Sequence, residues 1–223
     1  MTETNQKSRR RAPKGEKRAR TRAQLLEAAR AEIRENGYAR TTLEAVARRA
    51  GMTTGAIYGN FKNRDELFVA VGQAYWPPVR PRVKTGATLA EVMHAIAKAT
   101  LEAIPERTMA AVGRLTGLAY ALTSPGLRAR VHEVTAGSYE FGAEWLRSLG
   151  DERELPMPPE QLVRVIHALI EGLVLQRILT PELCPDDVFF AAFGSLAHRG
   201  GDSNADATAG AGDPVPARGT GSE

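Results

Sequence analysis

The stretch Thr41-Thr42-Leu43-Glu44-Ala45-Val46-Ala47-Arg48-Arg49-Ala50-Gly51-Met52-Thr53-Thr54-Gly55-Ala56-Ile57-Tyr58-Gly59-Asn60-Phe61 decides the fold. Thr42 is a natural N-cap. Behind it Leu43, Val46, Ala47 and Ala50 fall at i, i+3, i+4 and i+7, the buried face of one helix. Gly51 stops that helix, and Thr53 caps a second, very short one over roughly 54–61, in which Ile57 and Phe61 turn inward together. Helix, glycine turn and short helix make a helix-turn-helix, whose first helix holds the second out toward the major groove of DNA. The outward face of the second carries Thr54, Gly55, Tyr58 and Lys62. Gly55 and Ala56 are small enough for close backbone approach, Tyr58 and Lys62 reach phosphates, and Thr54 can touch a base edge. Thr42 sits at a helix N-terminus, where free N–H groups suit an anionic phosphate. The same shape also occurs in plain helical bundles, where Tyr58 is half-buried core and Thr42 only a cap.

Working outward, Leu25, Leu26, Ala28, Ala29 and Ile33 predict a preceding helix from about residue 16, ended by Asn36-Gly37. Asn63 caps a following helix with Asp65 and Glu66 in its first turn, where the dipole favours anions. Its apolar residues are Leu67, Phe68 and Val71, and Pro77-Pro78 ends it after Tyr75-Trp76. Residues 1–64 hold 16 Lys/Arg against 6 Asp/Glu, and the remainder 14 against 20, so the overall +4 divides into +10 and −6. A basic first part and an acidic remainder suit two tasks, the first with a polyanion as partner.

Leu25-Leu26-Glu27-Ala28-Ala29, Asn36-Gly37-Tyr38 and the run from Val46 to Leu67 together resemble the DNA-binding domain of the TetR (tetracycline-repressor-like) family. The chain departs from that pattern at Gly59-Asn60, where many members carry a bulkier residue and a histidine, and at Thr53, where serine is common. The resemblance implies an all-α protein: an N-terminal three-helix DNA-binding domain, a linking fourth helix, and a helical domain for ligand binding and dimerisation. It implies a homodimer on a pseudo-palindromic operator, usually a repressor released by a small molecule. On the matching positions it makes Thr42, Thr53, Thr54, Gly55, Ala56, Tyr58, Asn60 and Lys62 the candidate DNA contacts, with Arg40 and Thr41 beside them and Arg18, Arg20 and Arg22 as further phosphate contacts.

The resulting division is a flexible basic arm over 1–15, the DNA-binding domain over 16–76, the regulatory and dimerisation domain over 77–199, and a disordered Gly/Ala/Ser/Asp/Pro tail over 200–223. In the regulatory part Thr88 caps one helix, and separate helices are expected from Pro105, Pro125 and Pro159, with a last one over 186–198. Candidate pocket liners among the helices of 88–149 are Met93, Leu101, Leu115, Leu118, Tyr120, Phe141 and Trp145; ordinary core packing is the competing role for each. Gly113 and Gly117 share a face suited to close contact, and His167 and Glu171 are spaced to pair. The helix over 161–180 is apolar on more than one side, which suits burial on two sides. Ile166, Leu169, Ile170, Leu173 and Val174, with Phe189, Phe193 and Leu196 of the last helix, are therefore the expected dimer interface.

No hydrolase, metalloprotease or nucleotide-loop motif is present, so an enzyme is not expected. Cys184 is the single cysteine, the four histidines show no metal-ligand spacing, and neither metal nor cofactor is expected. No leader or membrane-length apolar run stands out, which places the expected regulator in the cytoplasm on the nucleoid. The alternative is an architectural DNA-binding protein that answers to no ligand.

Overall fold

A computed structural model describes residues 14–150 and 155–197. The tail, and all but the last two residues of the arm, lie outside the described residues. Eight α-helices and no strand occur among them: α1 (Lys14–Arg40), α2 (Leu43–Arg49), α3 (Thr54–Tyr58), α4 (Arg64–Tyr75), α5 (Leu89–Thr123), α6 (Pro125–Arg147), α7 (Pro159–Leu179) and α8 (Asp186–Ser195).

The starts of the helices follow from side-chain caps. Thr42, Thr53, Asn63 and Thr88 each accept a backbone N–H of their own first turn, and Thr88 with Glu91 closes a capping box. Gly37 breaks α1 near its end with φ 75°, and the turn between α2 and α3 passes through Gly51 at φ 65°, a left-handed conformation in which a side chain would be strained.

α5 differs from expectation. Where Pro105 was expected to open a separate helix, one helix of 35 residues runs through it. Proline removes one hydrogen bond from a helix interior. Here side chains on both sides of it hold the helix to its neighbours: Leu101 and Ile104 pack on the apolar core, and Arg107 bonds to Pro77 and Glu171.

Two apolar cores result. The first gathers Leu25, Ala29, Val46, Ile57, Phe61 and Leu67 with Ala121 of α5 and Leu127 of α6. The second gathers Val92, Met93, Ile96, Leu146, Leu162, Phe189 and Phe193. α7 and α8 both pack on α5, and α6 packs on α7. Val174, Phe189 and Phe193 are fully buried and Ile166 nearly so, while Leu169, Ile170, Leu173 and Leu196 pack against the second core of the same chain. Of the expected dimer face, Ile166, Val174, Phe189 and Phe193 lie in the interior of the chain, while Leu169, Ile170, Leu173 and Leu196 are half-buried. α7 leaves Glu160, Gln161, Arg164, Ala168, Gly172, Gln176 and Leu179 outside, and α8 leaves Asp186, Asp187, Val188, Ala191 and Ser195.

Candidate nucleic-acid interface and ligand cavity

Ile57, fully buried, and Phe61 fix α3 against the first core and turn its other side outward. Thr53, Thr54, Gly55 and Lys62 are exposed, as are Arg40 and Thr42 at the edge of α2, and Ala56 is half-buried. Tyr58 is 50% exposed, and its hydroxyl donates to Glu44 Oε1 at 2.8 Å. That bond holds the Glu44 carboxyl below its ordinary range and raises the Tyr58 phenol. Glu44, an acid on an otherwise basic face, had no sequence signal beyond its place in the first turn of α2.

Three of the expected contacts bond within the chain. Thr41 is fully buried and its hydroxyl donates to the Gly37 carbonyl at 2.8 Å, so it closes the turn between α1 and α2. Asn60 is half-buried, with Nδ2 donating to the Ala56 carbonyl at 2.8 Å, so its amide locks the end of α3. Arg22 donates to the Asn60 carbonyl at 3.0 Å and stacks 4.4 Å from the Phe61 ring centroid, which pins α3 to α1. Arg18 and Arg20 stay exposed. Arg49 binds both Glu32 and Glu35 and ties α2 to α1.

An aromatic hub joins this unit to α5. Tyr38 stacks on Tyr120 at 5.5 Å between centroids, meets Phe68 edge-on at 4.9 Å, and donates to the Gly113 carbonyl at 3.3 Å. A Cβ at Gly117 would lie 2.6 Å from Tyr38 Oη, so this glycine makes room for the tyrosine, whereas a Cβ at Gly113 would meet nothing within 4 Å. Arg64 donates to the Tyr120 hydroxyl at 2.9 Å and to the Ala39 carbonyl at 3.2 Å.

Beyond the hub, α1, α4, α5, α6, α7 and residues 76–81 border a half-open cavity of about 1390 Å³. Of the candidate liners Leu118, Phe141 and Trp145 border it, Phe141 at its mouth with 74% of its surface exposed. Met93 is fully buried in the second core and Leu101 packs beside it, Leu115 points to solvent, and Tyr120 belongs to the hub; these four are corrected. The polar wall was not foreseen. Glu171 accepts from Trp76 Nε1 at 2.8 Å, from Arg114 at 3.1 Å and from Arg107 at 3.5 Å. Arg107, 3% exposed, also donates to the Pro77 carbonyl at 3.0 Å and lies 4.6 Å from the Trp76 ring centroid. His167 meets the Tyr139 hydroxyl at 3.2 Å instead of Glu171. Burial pushes the Arg107 guanidinium below its usual range, partly offset by Glu171, and burial likewise lowers the His167 imidazole. Burial alone would raise the Glu171 carboxyl, but the Trp76 hydrogen bond and Arg114 hold it below its ordinary value. These partners are 57 to 95 residues apart for Glu171, a separation that helical periodicity does not report.

Comparison with known proteins agrees with both halves. Residues 25–71 match the family of bacterial regulatory proteins, tetR family, and residues 89–198 match the BetI-type transcriptional repressor C-terminal domain. The HTH-type transcriptional regulator TtgR of Pseudomonas putida is 51% identical over 51 residues, 23% of this chain and 24% of that protein; the match thus spans about a quarter of its length. Among solved structures, the SmeT–triclosan complex, SmeT being the repressor of a Stenotrophomonas maltophilia efflux pump, is 25% identical over 80% of this chain and 90% of that one, with a TM-score of 0.50. NalD, a repressor of the MexAB-OprM efflux pump in Pseudomonas aeruginosa, is 26% identical over 78% and 92%, with a TM-score of 0.51. With both its helix-turn-helix segment and its helical C-terminal part matched, the chain belongs to the tetR family of bacterial regulatory proteins.

Proposed function

We propose that the protein is a transcriptional repressor that binds a two-fold operator as a homodimer in the cytoplasm and is released by a small organic molecule. The observation that carries this reading is the position of α4. It starts at Arg64, just after the recognition segment, and the residues that follow it, Trp76 and Pro77, form part of the cavity wall. An occupant of the cavity competes for Arg107, Arg114 and Glu171, the groups that hold Trp76 and Pro77. A ligand that binds one arrangement of α4 better than another shifts the population between them, and α3 moves with it.

The unit over 16–76 serves as the DNA reader and 77–199 as the regulatory unit. Exposed Thr54, Gly55, Tyr58 and Lys62 make the central contacts, with Thr42 and Thr53 as backbone-N–H phosphate sites. The strip of Ala168, Gly172 and Leu179 on α7, with Val188 and Ala191 on α8, forms the two-fold contact, since small side chains let helices of two copies approach closely. Ala168→Arg is expected to give monomers in sedimentation and to weaken operator binding while the fold persists. An intact dimer would move the interface elsewhere.

The deciding experiment is fluorescence anisotropy on the DNA upstream of the protein's own gene, against a scrambled duplex, at two salt concentrations. Tight, salt-sensitive, sequence-selective binding is expected. Equal binding to both duplexes would favour an architectural DNA-binding protein, a role that leaves the polar cavity without a use.

A further inference from the structure

We infer that the molecule received by the cavity is an amphipathic organic anion, its acid group held by Arg107 and Arg114 beside the Trp76 ring and its apolar body lying along Leu118, Val134 and Phe141. This rests on reading the cavity as the effector site and adds the chemical class of the effector.

Charge is the first support. In the wall Arg107 and Arg114 face one carboxylate, Glu171, while Arg30 lies over the Tyr75 ring and Arg34 and Arg80 are exposed to solvent. That carboxylate is already shared by Trp76, Arg107 and Arg114, so the buried cluster keeps an excess positive charge. A cationic ligand would find no free acid among the lining residues and would face guanidinium groups instead.

Unused donors are the second support. Arg107 is almost wholly buried, yet its Nε–H has no acceptor, and the Nε–H of Arg114 is also buried without one. Buried donors are normally satisfied, and those on a cation bind carboxylate-like acceptors most strongly. Neither nitrogen is open to the cavity while Glu171 holds the two guanidinium groups, so a ligand carboxylate reaches these donors by taking the place of Glu171 beside them. His167 does not supply a competing charge, because its Nδ1 is engaged with Tyr139 and burial favours its neutral form.

Size and surface are the third. The volume of about 1390 Å³ exceeds what one acid group needs, and beyond the Glu171 cluster much of the wall is apolar, including Ile96, Leu118, Val134, Phe141 and Trp145. Such a wall fits an apolar body, with the few polar groups fixing its orientation.

The test uses a feature of the chain: both of its tryptophans, Trp76 and Trp145, line the cavity. Intrinsic fluorescence is titrated with decanoate, decanol and decylammonium, three ligands of one length and different charge, and each is then added to the operator complex. Decanoate is expected to bind about tenfold more tightly than decylammonium, with decanol between them. Arg114→Gln should weaken decanoate about fivefold or more and leave decanol unchanged, whereas Glu171→Gln, which removes the competing carboxylate, should tighten decanoate. The gain with Glu171→Gln cannot come from a damaged fold. Equal or tighter binding of decylammonium, or weaker decanoate binding by Glu171→Gln, overturns the anion assignment. If decanol or decylammonium releases operator DNA and decanoate does not, the effector cavity stands and its anion preference falls. If none of the three changes the fluorescence, both fall.

Discussion

Arg107 of α5 donates to the main-chain carbonyl of Pro77 at 3.0 Å, so a side chain in the cavity wall holds the residues that follow α4. From the opposite wall Glu171 of α7 takes the Trp76 indole N–H at 2.8 Å. The end of α4 is thus tied to two helices through charged groups in a partly buried setting, where hydrogen bonds to ions are stronger than in water.

Trp76→Phe keeps most of the ring and removes only the N–H. Glu171 then loses one of its donors, at a cost of about 1–3 kcal/mol for a bond to a charged acceptor. Urea denaturation should show a lower midpoint with an unchanged slope. A midpoint equal to the parent's would mean that the indole bond adds nothing to stability.

At the DNA face, Lys62 and Glu44 should act with opposite sign. Lys62→Ala is expected to weaken binding to every duplex and to reduce the salt slope by about 1, as loss of one phosphate contact does. Glu44→Gln removes a carboxylate from the same edge, so binding should tighten. Anisotropy over a salt series checks both; a Lys62→Ala slope equal to the parent's would remove Lys62 from the phosphate contacts.

The hub makes a steric prediction. Gly117→Ala would place its Cβ 2.6 Å from Tyr38 Oη, and relieving such overpacking costs about 1–3 kcal/mol. In a Tyr38→Phe background the nearest atom is the ring carbon at 3.1 Å, and the penalty should shrink. A double-mutant cycle on thermal melts measures that coupling; strict additivity would mean that the two residues do not meet.

Acid should destabilise the fold in two steps. His167 is depressed from its usual 6.5 by burial, with Arg107 and Arg114 adding to the depression and Glu171 opposing it. As pH falls below 6.5, the unfolded chain takes up a proton that the folded chain refuses, so stability is lost. Glu171 is held below its usual 4.5, so its contribution is complete above that pH and lost as pH falls through its lower folded value. Denaturant midpoints measured from pH 7.5 downward should decline, and His167→Gln should flatten the first decline. A parallel decline in that variant would assign the effect to other groups.

The caps at Thr42, Thr53, Asn63 and Thr88 and the inward pair Ile57 and Phe61 could be read directly, because each depends on residues at most four apart. So could the outward set at Thr54, Gly55, Tyr58 and Lys62. The cluster of Trp76, Arg107, Arg114 and Glu171 could not, since its members come from three separate segments of chain and meet only after the helices pack. α7 misled for a related reason. Its apolar side chains are numerous enough for two buried sides, but α5, α6 and α8 cover most of them, in part or whole, within one chain, and Ala168 and Gly172 lie open between Arg164 and Gln176. Proline is favoured at a helix start, which makes Pro105 look like one in the sequence, but the packing on both sides of it carries α5 through.

The unbroken α5 has a thermodynamic consequence. At about 1.5 Å of rise per residue, its 35 residues make a beam on the order of 50 Å long, with Val92, Met93 and Ile96 embedded in one core and Ala121 in the other. Neither core can melt without fraying a helix on which the other depends. The two halves of the molecule therefore share one reserve of stability, and whatever tightens one half also raises the unfolding cost of the other.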